Sequence, residues 1–317
     1  MHVVVTGAAG LVGSHLTARL LADGHDVIAV DSMTTGQPRN AEWLTGKPNV
    51  TWIEHDIVEP LTVDGPVEAI FNMACPASPV DFRDKALEIM RTCSEGVRQL
   101  LALAQRHDAI FLQASTSECY GDPEVNPQSE TYRGNVSTTG VRSVYDEGKR
   151  FGEALTMAYH REFGVRTRIA RIFNTYGPRM RIDDGRVLPN FICQALRDEP
   201  LTVYGQGQQT RSFCYIDDLI EGLVRLALAS DYVEPVNLGN ADEVTILQIA
   251  EEIIELTQSR SQIAYRPLPP DDPKVRRPDI TRAREVLGWQ PTVDRRTGFS
   301  RTVEDFRQIL AAGGANM

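Results

Sequence analysis

The chain opens with a short apolar run, Met1 to Val5, which reads as a buried strand. Ser14 to Ala22 then repeats apolar residues at helical intervals. Asp26 to Val30, Val50 to Glu54, Ala69 to Met73 and Ala109 to Gln113 are further strand-length runs bounded by turn-forming residues. Ala86 to Ala104, the stretch around Tyr145, Ile246 to Leu256 and Thr281 to Leu287 carry helical spacing, and a proline-rich stretch from Arg266 to Pro278 separates the last two. Adjacent parallel strands need a long crossover, which a helix supplies, so this alternation predicts an α/β protein built on a doubly wound parallel sheet.

The turns between these elements carry the chemistry. The first strand runs into Thr6-Gly7-Ala8-Ala9-Gly10-Leu11-Val12-Gly13, a G-x-x-G-x-x-G turn that opens a helix. Gly7, Gly10 and Gly13 permit a tight turn and close backbone approach. The free N–H groups at the helix start, those of Leu11 and Val12 among them, would then hold a pyrophosphate. The second strand ends in Asp31, where a carboxylate accepts hydrogen bonds from an adenosine ribose and repels a 2′-phosphate. No basic residue follows within five positions, so the Rossmann-type site predicted here takes NAD rather than NADP. Ligands of such sheets lie beyond the carboxyl ends of the strands. Asp56 and Ile57 therefore fall near the adenine, although an exposed loop acid reads equally well for Asp56. The loop Ala74 to Pro79 falls at the nicotinamide end.

Composition narrows the partners. With 317 residues, 42% hydrophobic and 24% charged, the chain is an ordinary globular protein of one large domain or two. Residues 1–177, with a return at about 208–240, are expected to form the NAD-binding domain. Residues of about 178–207 and 241–317 would form a smaller substrate-binding domain. A net charge of −10 and a pI near 5.2 argue against nucleic acid and against an anionic membrane surface. A small anionic substrate stays compatible where arginines gather. Five scattered cysteines without a C-x-x-C pair predict reduced thiols in a cytoplasm and no metal site. The short N-terminal apolar run predicts neither a signal peptide nor a membrane anchor.

Tyr145 and Lys149 stand four residues apart, on one face of a helix, where a fixed ammonium favours the phenolate and makes proton abstraction from a sugar hydroxyl feasible. With Thr116 they match the Ser/Thr, Tyr, Lys triad of extended short-chain dehydrogenases/reductases. Thr116-Ser117-Glu118-Cys119-Tyr120-Gly121-Asp122-Pro123 resembles the corresponding run of UDP-glucuronate decarboxylases (UDP-xylose synthases). The likeness continues through the segments that contain Arg142, Asn174, Arg179, Arg186 and Arg211, and covers nearly the whole chain. It implies NAD as cofactor, a homodimer through a helix bundle that includes Ala86 to Ala104 and the Tyr145 helix, and a UDP-sugar acid as substrate.

The resemblance also implies roles. Tyr145 would be the base at the sugar O4, Thr116 its hydrogen-bonding partner, and Lys149 would also hold the nicotinamide ribose. Glu118 and Arg276 would attend the C5 chemistry. Ser117, Phe82, Asn174, Arg186, Tyr204, Arg211 and Arg276 would contact substrate, with Asn174 at the diphosphate and Tyr204 beside the uracil. For Arg179 and Arg186 a surface salt bridge is an equal reading. Dehydratases of the superfamily have an acid where Ser117 stands, and 4-epimerases tend to lack the glutamate present as Glu118. The implied reaction is decarboxylation of UDP-glucuronate to UDP-xylose through a UDP-4-keto intermediate. The alternatives are a UDP-glucuronate 4-epimerase giving UDP-galacturonate, a decarboxylase that releases the UDP-4-ketopentose, and an NAD-binding regulatory protein. Three departures bear on the substrate: Phe82 replaces a usual Tyr, Cys93 a common Asn and Arg133 a usual Trp.

Overall fold

The computed structural model describes residues 1–267 and 275–313; residues 268–274 of the proline-rich stretch lie outside the described residues. Seven strands form the central sheet: β1 (His2–Thr6), β2 (Asp26–Asp31), β3 (Val50–Glu54), β4 (Ala69–Asn72), β5 (Ile110–Thr116), β6 (Arg166–Ile172) and β7 (Val236–Leu238). Their order is β7-β6-β5-β4-β1-β2-β3, and every pairing is parallel. Successive side chains on a strand face opposite sides, and the core divides accordingly. Val3, Val5, Phe71 and Leu112 enter one apolar cluster, whereas Val4, Ile70 and Phe111 enter another. Because both faces are covered, β4 is buried throughout, while the edge strand β3 is partly exposed.

Strand order reverses between β1 and β4, which opens a crevice at their carboxyl ends. Helix α1 (Leu11–Ala22) leaves β1 there, and α2 (Ser143–Phe163) brings Tyr145 and Lys149 towards β5. The helix expected over Ala86 to Ala104 is interrupted: Ala86–Arg91 and Val97–His107 flank a π-helical turn at Thr92–Gly96. The hydroxyls of Thr92 and Ser94 donate to the carbonyls of Glu88 and Met90 at 2.8 and 2.7 Å. They thereby share acceptors of the ladder, a local competition that loosens a helix. Strand β5 runs three residues beyond the expected Gln113 because β6 stays paired with it as far as Thr116↔Ile172. That extension carries Thr116 to the crevice.

After β6 the chain builds a second lobe, returning to the main sheet at β7 through α3 (Ile216–Leu228). Leu201–Tyr204 pairs with Ile263–Arg266, and Thr210–Ser212 with Glu243–Thr245. Asp218 of α3 ties the C-terminal segment down: its carboxylate accepts from the backbone N–H groups of Thr292 and Val293 at 3.0 Å each, and its carbonyl accepts from the Trp289 indole at 2.9 Å. Tyr176, Tyr215 and Phe299 pack edge to face, with Tyr176 and Phe299 centroids 5.0 Å apart. The same apolar cluster that lies under the sheet reaches Phe299 and Phe306. Among the described residues no helix is long and apolar enough to cross a membrane, and no group of His, Cys, Asp and Glu could hold a metal ion.

Candidate active site

The β1–α1 turn is bare of side chains where it bends. Gly7 has φ +66°, and a Cβ there would lie 2.8 Å from Ala74 N and Met73 O; a Cβ on Gly13 would lie 2.1 Å from Gly7 O. Gly10 starts α1 without a side-chain cap, which leaves the N–H groups of the first turn, those of Leu11 and Val12 among them, without a side-chain acceptor. Asp31, buried at the end of β2, accepts from Ala9 N and Met33 N, each at 2.9 Å, and its burial raises its pKa. Asp56 is exposed, with its carboxylate on Val58 N at 3.1 Å, and Ile57 packs beneath it against Gly96. A turn that a Cβ would fill, an uncapped helix start and a carboxylate closing the next strand fit a dinucleotide.

Across the crevice, α2 sets Tyr145 and Lys149 one turn apart, and both are buried. The Lys149 ammonium donates to Ala114 O at 3.0 Å and stands 5.7 Å from the Tyr145 ring centroid. Thr116 hydrogen-bonds Tyr145 and accepts from Glu118 N at 3.2 Å. Burial pushes the Tyr145 phenol up to about 12, against the pull of Lys149, the Thr116 hydrogen bond and the charge of Arg186. The expectation that the ammonium alone makes a ready phenolate is therefore corrected. Lys149 acts in the expected direction, but desolvation is larger. Phe82 contributes to that burial, stacked on Tyr145 with centroids 5.0 Å apart and planes 18° from parallel.

Glu118 lies between two arginines. Arg276 donates to Oε1, and Arg142 Nη2 donates to Oε2 at 2.5 Å. Arg276 is buried, donates to Gly121 O at 3.4 Å and has its carbonyl held by Ser212 Oγ at 3.2 Å. Burial lowers its pKa to about 10, so it stays charged at neutral pH. Arg142 also sits 5.6 Å over the Phe82 ring. Arg276, Glu118, Arg142, Phe82 and Tyr145 thus form one continuous row. The loop after β4 closes the crevice by joining the second lobe. Ser78 Oγ donates to Asp184 O, Arg186 donates to Ala77 O at 3.3 Å, and Arg181 pairs with Asp81 at 3.2 Å.

The profile of the NAD dependent epimerase/dehydratase family matches residues 3–239. UDP-glucuronic acid decarboxylase 4 of Arabidopsis thaliana is 53% identical over 308 residues, covering 97% of this chain and 69% of the relative. The chain belongs to the UDP-glucuronic acid decarboxylases of that family. Solved structures agree on the fold. The UDP-glucose 4-epimerase of Thermotoga maritima, in a structure with UDP-glucose, superposes with a TM-score of 0.88 at 27% identity, covering 98% of this chain and all (100%) of that one. The UDP-glucuronic acid 4-epimerase of Bacillus cereus, in complex with UDP-glucuronic acid and NAD, does so with a TM-score of 0.83 at 28% identity, at 98% and 100% coverage.

Against the expectations for a UDP-glucuronic acid decarboxylase, the fold brings Thr116, Glu118, Tyr145, Lys149, Arg276 and Phe82 together. Ser117 is buried in the short turn Ser117–Tyr120, and Ala74 lies partly buried against the glycine turn. Asn174 is partly buried just after β6, and its side chain makes no hydrogen bond among the described residues. Arg186 pairs with Asp184 at 3.0 Å, the salt bridge read as its alternative, while its charge still reaches Tyr145. Arg179 is engaged elsewhere, donating to Ser14 O at 3.0 Å over the Trp43 ring. Tyr204, 44% exposed, lies on the second lobe, and Arg211 donates to Thr210 O at 2.8 Å. Of the three departures, Phe82 and Cys93 meet at Tyr145. Arg133 is not in that cluster, and its carbonyl accepts from Arg150 at 2.7 Å. The residue-level reading missed the role of Arg142, although its place three residues before Tyr145 puts it on the same helix face.

Proposed function

We propose that this chain decarboxylates UDP-glucuronate to UDP-xylose in an NAD-dependent cycle, a reading carried by Glu118 held between Arg142 and Arg276 beside Thr116 and Tyr145. The first supports C5 chemistry and the second C4 chemistry. The backbone of Gly7 to Gly13 would hold the NAD pyrophosphate, Asp31 its adenosine ribose, Asp56 and Ile57 its adenine end, and Ala74 with Lys149 its nicotinamide half. A nicotinamide held by these residues would supply the acceptor for the C4 hydride and the donor for its return, so that the cycle would involve no net oxidation.

Tyr145 removes the O4 proton while Thr116 orients that oxygen. The resulting ketone is β to the C6 carboxylate, so loss of carbon dioxide sends the bonding electrons to the C4 oxygen. Hydrogen bonds from Tyr145 and Thr116 stabilise the enolate. A water held by Glu118 and Arg276 protonates C5. Asn174 and Arg211 would hold the diphosphate side, Tyr204 the base, and Arg186 with Phe82 and Ser117 the sugar.

The same proposal assigns residues 1–177 and about 208–240 to the NAD-binding domain and about 178–207 and 241–317 to the sugar-nucleotide domain. It takes the protein to be a homodimer through α2 and the Ala86–His107 helices, and a cytoplasmic setting suits its five free thiols. Incubation of the pure protein with UDP-glucuronate, with and without added NAD, followed by mass analysis, tests the activity. A UDP-pentose and carbon dioxide are expected. UDP-galacturonate as sole product would replace this reading with 4-epimerisation, and a UDP-4-ketopentose would mean that the hydride is not returned.

A further inference from the structure

Two thiols sit against the catalytic pair, and the proposed reaction uses neither. Cys75 Sγ and Cys93 Sγ are 3.6 Å apart. Cys75 leaves β4 on the loop that lines the crevice, whereas Cys93 lies in the π-helical turn Thr92–Gly96. Gly148, three residues after Tyr145, makes room for it: a Cβ there would lie 3.2 Å from the Cys93 Cβ. Cys93, Phe82, Ile89 and Tyr145 form one apolar cluster, with Cys75 packed on it. Cys93 is buried and Cys75 only partly so, which makes Cys75 the less enclosed residue of the pair. The remaining thiols, Cys119, Cys193 and Cys214, are buried, and none has a second sulfur within described contact.

The pair is chemically asymmetric. The hydrogen bond between the two sulfurs draws the Cys75 thiol down, against its burial and helped by the Lys149 charge, while the same contact raises Cys93. Cys119 and Cys193 are instead pushed up by burial, to about 12 and about 11. A thiolate is the form that attacks an oxidant, and a second thiol within reach resolves the product as it gives up its proton to the departing oxygen.

We propose that Cys75 and Cys93 are a dithiol oxidised by hydroperoxides, and that closure to the disulfide stops turnover. The Cys75 thiolate attacks one peroxide oxygen, the O–O bond breaks, and with one proton taken up the products are a sulfenic acid and water. Cys93 sulfur then attacks the Cys75 sulfur, expelling hydroxide, which takes the Cys93 proton and leaves as water. Overall, two thiols and hydrogen peroxide give one disulfide and two waters. The sulfurs must close from 3.6 Å to about 2.05 Å. The loop from Ala74 to Pro79 takes up that movement. Its Ala74 N abuts the Gly7 turn and its Ser78 is tied to Asp184, so oxidation displaces the wall of the crevice at Tyr145.

The disulfide does not depend on the reaction; only the loss of turnover rests on the proposed decarboxylation. The test exposes fully reduced protein to hydrogen peroxide, then counts thiols, maps linked peptides and measures carbon dioxide release. The expected result is loss of two of the five thiols, a Cys75–Cys93 linked peptide, and turnover reduced more than tenfold and restored by dithiothreitol. Cys93→Ser should give no linked peptide. Its loss of turnover under excess peroxide should resist dithiothreitol, because a Cys75 without a resolving partner proceeds to the sulfinic acid. Five surviving thiols, a different linked pair, a 75–93 disulfide with unchanged turnover, or a reversible loss in Cys93→Ser equal to that of the parent protein would each overturn the proposal. A protein that forms the 75–93 disulfide yet shows no turnover before oxidation overturns the proposed function and leaves the dithiol standing.

Discussion

Tyr145 is raised to about 12 by burial and drawn down by Lys149. A base must be deprotonated to act, so below its pKa the rate follows the phenolate fraction, about tenfold per pH unit. Lys149→Met removes the downward pull, and the rising limb of the pH–rate profile should move to higher pH. An unmoved limb would show that Lys149 does not tune the base. Tyr145→Phe should abolish C4 oxidation while an NAD titration still shows binding, since the glycine turn is untouched; near-normal oxidation in that variant would place the base elsewhere. Glu118→Gln keeps the size of the side chain but removes the charge that Arg276 and Arg142 share. Carbon dioxide release should slow by ~10²–10⁴-fold, the range for a lost acid–base partner, with UDP-glucuronate binding retained. Normal release from this variant would assign Glu118 a purely structural part.

At the scale of elements, the site depends on how closely two backbones approach. Gly13, in the first turn of α1, lies close to the carbonyl of Gly7, and an added Cβ would lie 2.1 Å from that oxygen. Gly13→Ala must therefore displace the turn, at a cost of about 1–3 kcal/mol typical of overpacking. NAD affinity should fall by roughly 10–100-fold, since 1.4 kcal/mol is about a factor of ten. A titration matching that of the parent protein would show that the turn is not the pyrophosphate cradle. The glycine spacing and the terminal acid Asp31 are local in sequence, which is why they were legible there. The π-helical turn Thr92–Gly96 was not, because helical periodicity looks the same on either side of one inserted residue.

For the whole molecule, the second lobe is part of the site rather than an appendage. Arg276, near the end of the proline-rich stretch, meets Glu118 just past the end of β5, and the shared apolar cluster holds the two lobes together. Leu87 and Met90 are 77% and 46% exposed on the helix before the π turn, and Phe151 is 51% exposed on α2, which packs against it. Large exposed apolar residues on neighbouring helices favour burial by a second copy. Sedimentation should show a dimer, and Leu87→Arg with Phe151→Arg should shift it to monomer. A parent protein that sediments as a monomer at micromolar concentration would remove the dimer from the proposal.

The amino-acid order alone determined the alternation of strands and helices, the glycine turn, the acid at the end of β2 and the Tyr145–Lys149 pair, because each is set by neighbours within a few residues. The resemblance of motifs added the substrate class and paired Glu118 with Arg276. Only the tertiary structure decided how these groups behave. It buried Tyr145 under Phe82, so desolvation outweighs the ammonium. It added Arg142 as a second partner of Glu118, and it placed Cys75 against Cys93 at the edge of the site. Burial and contact between distant segments depend on packing, which local sequence does not specify.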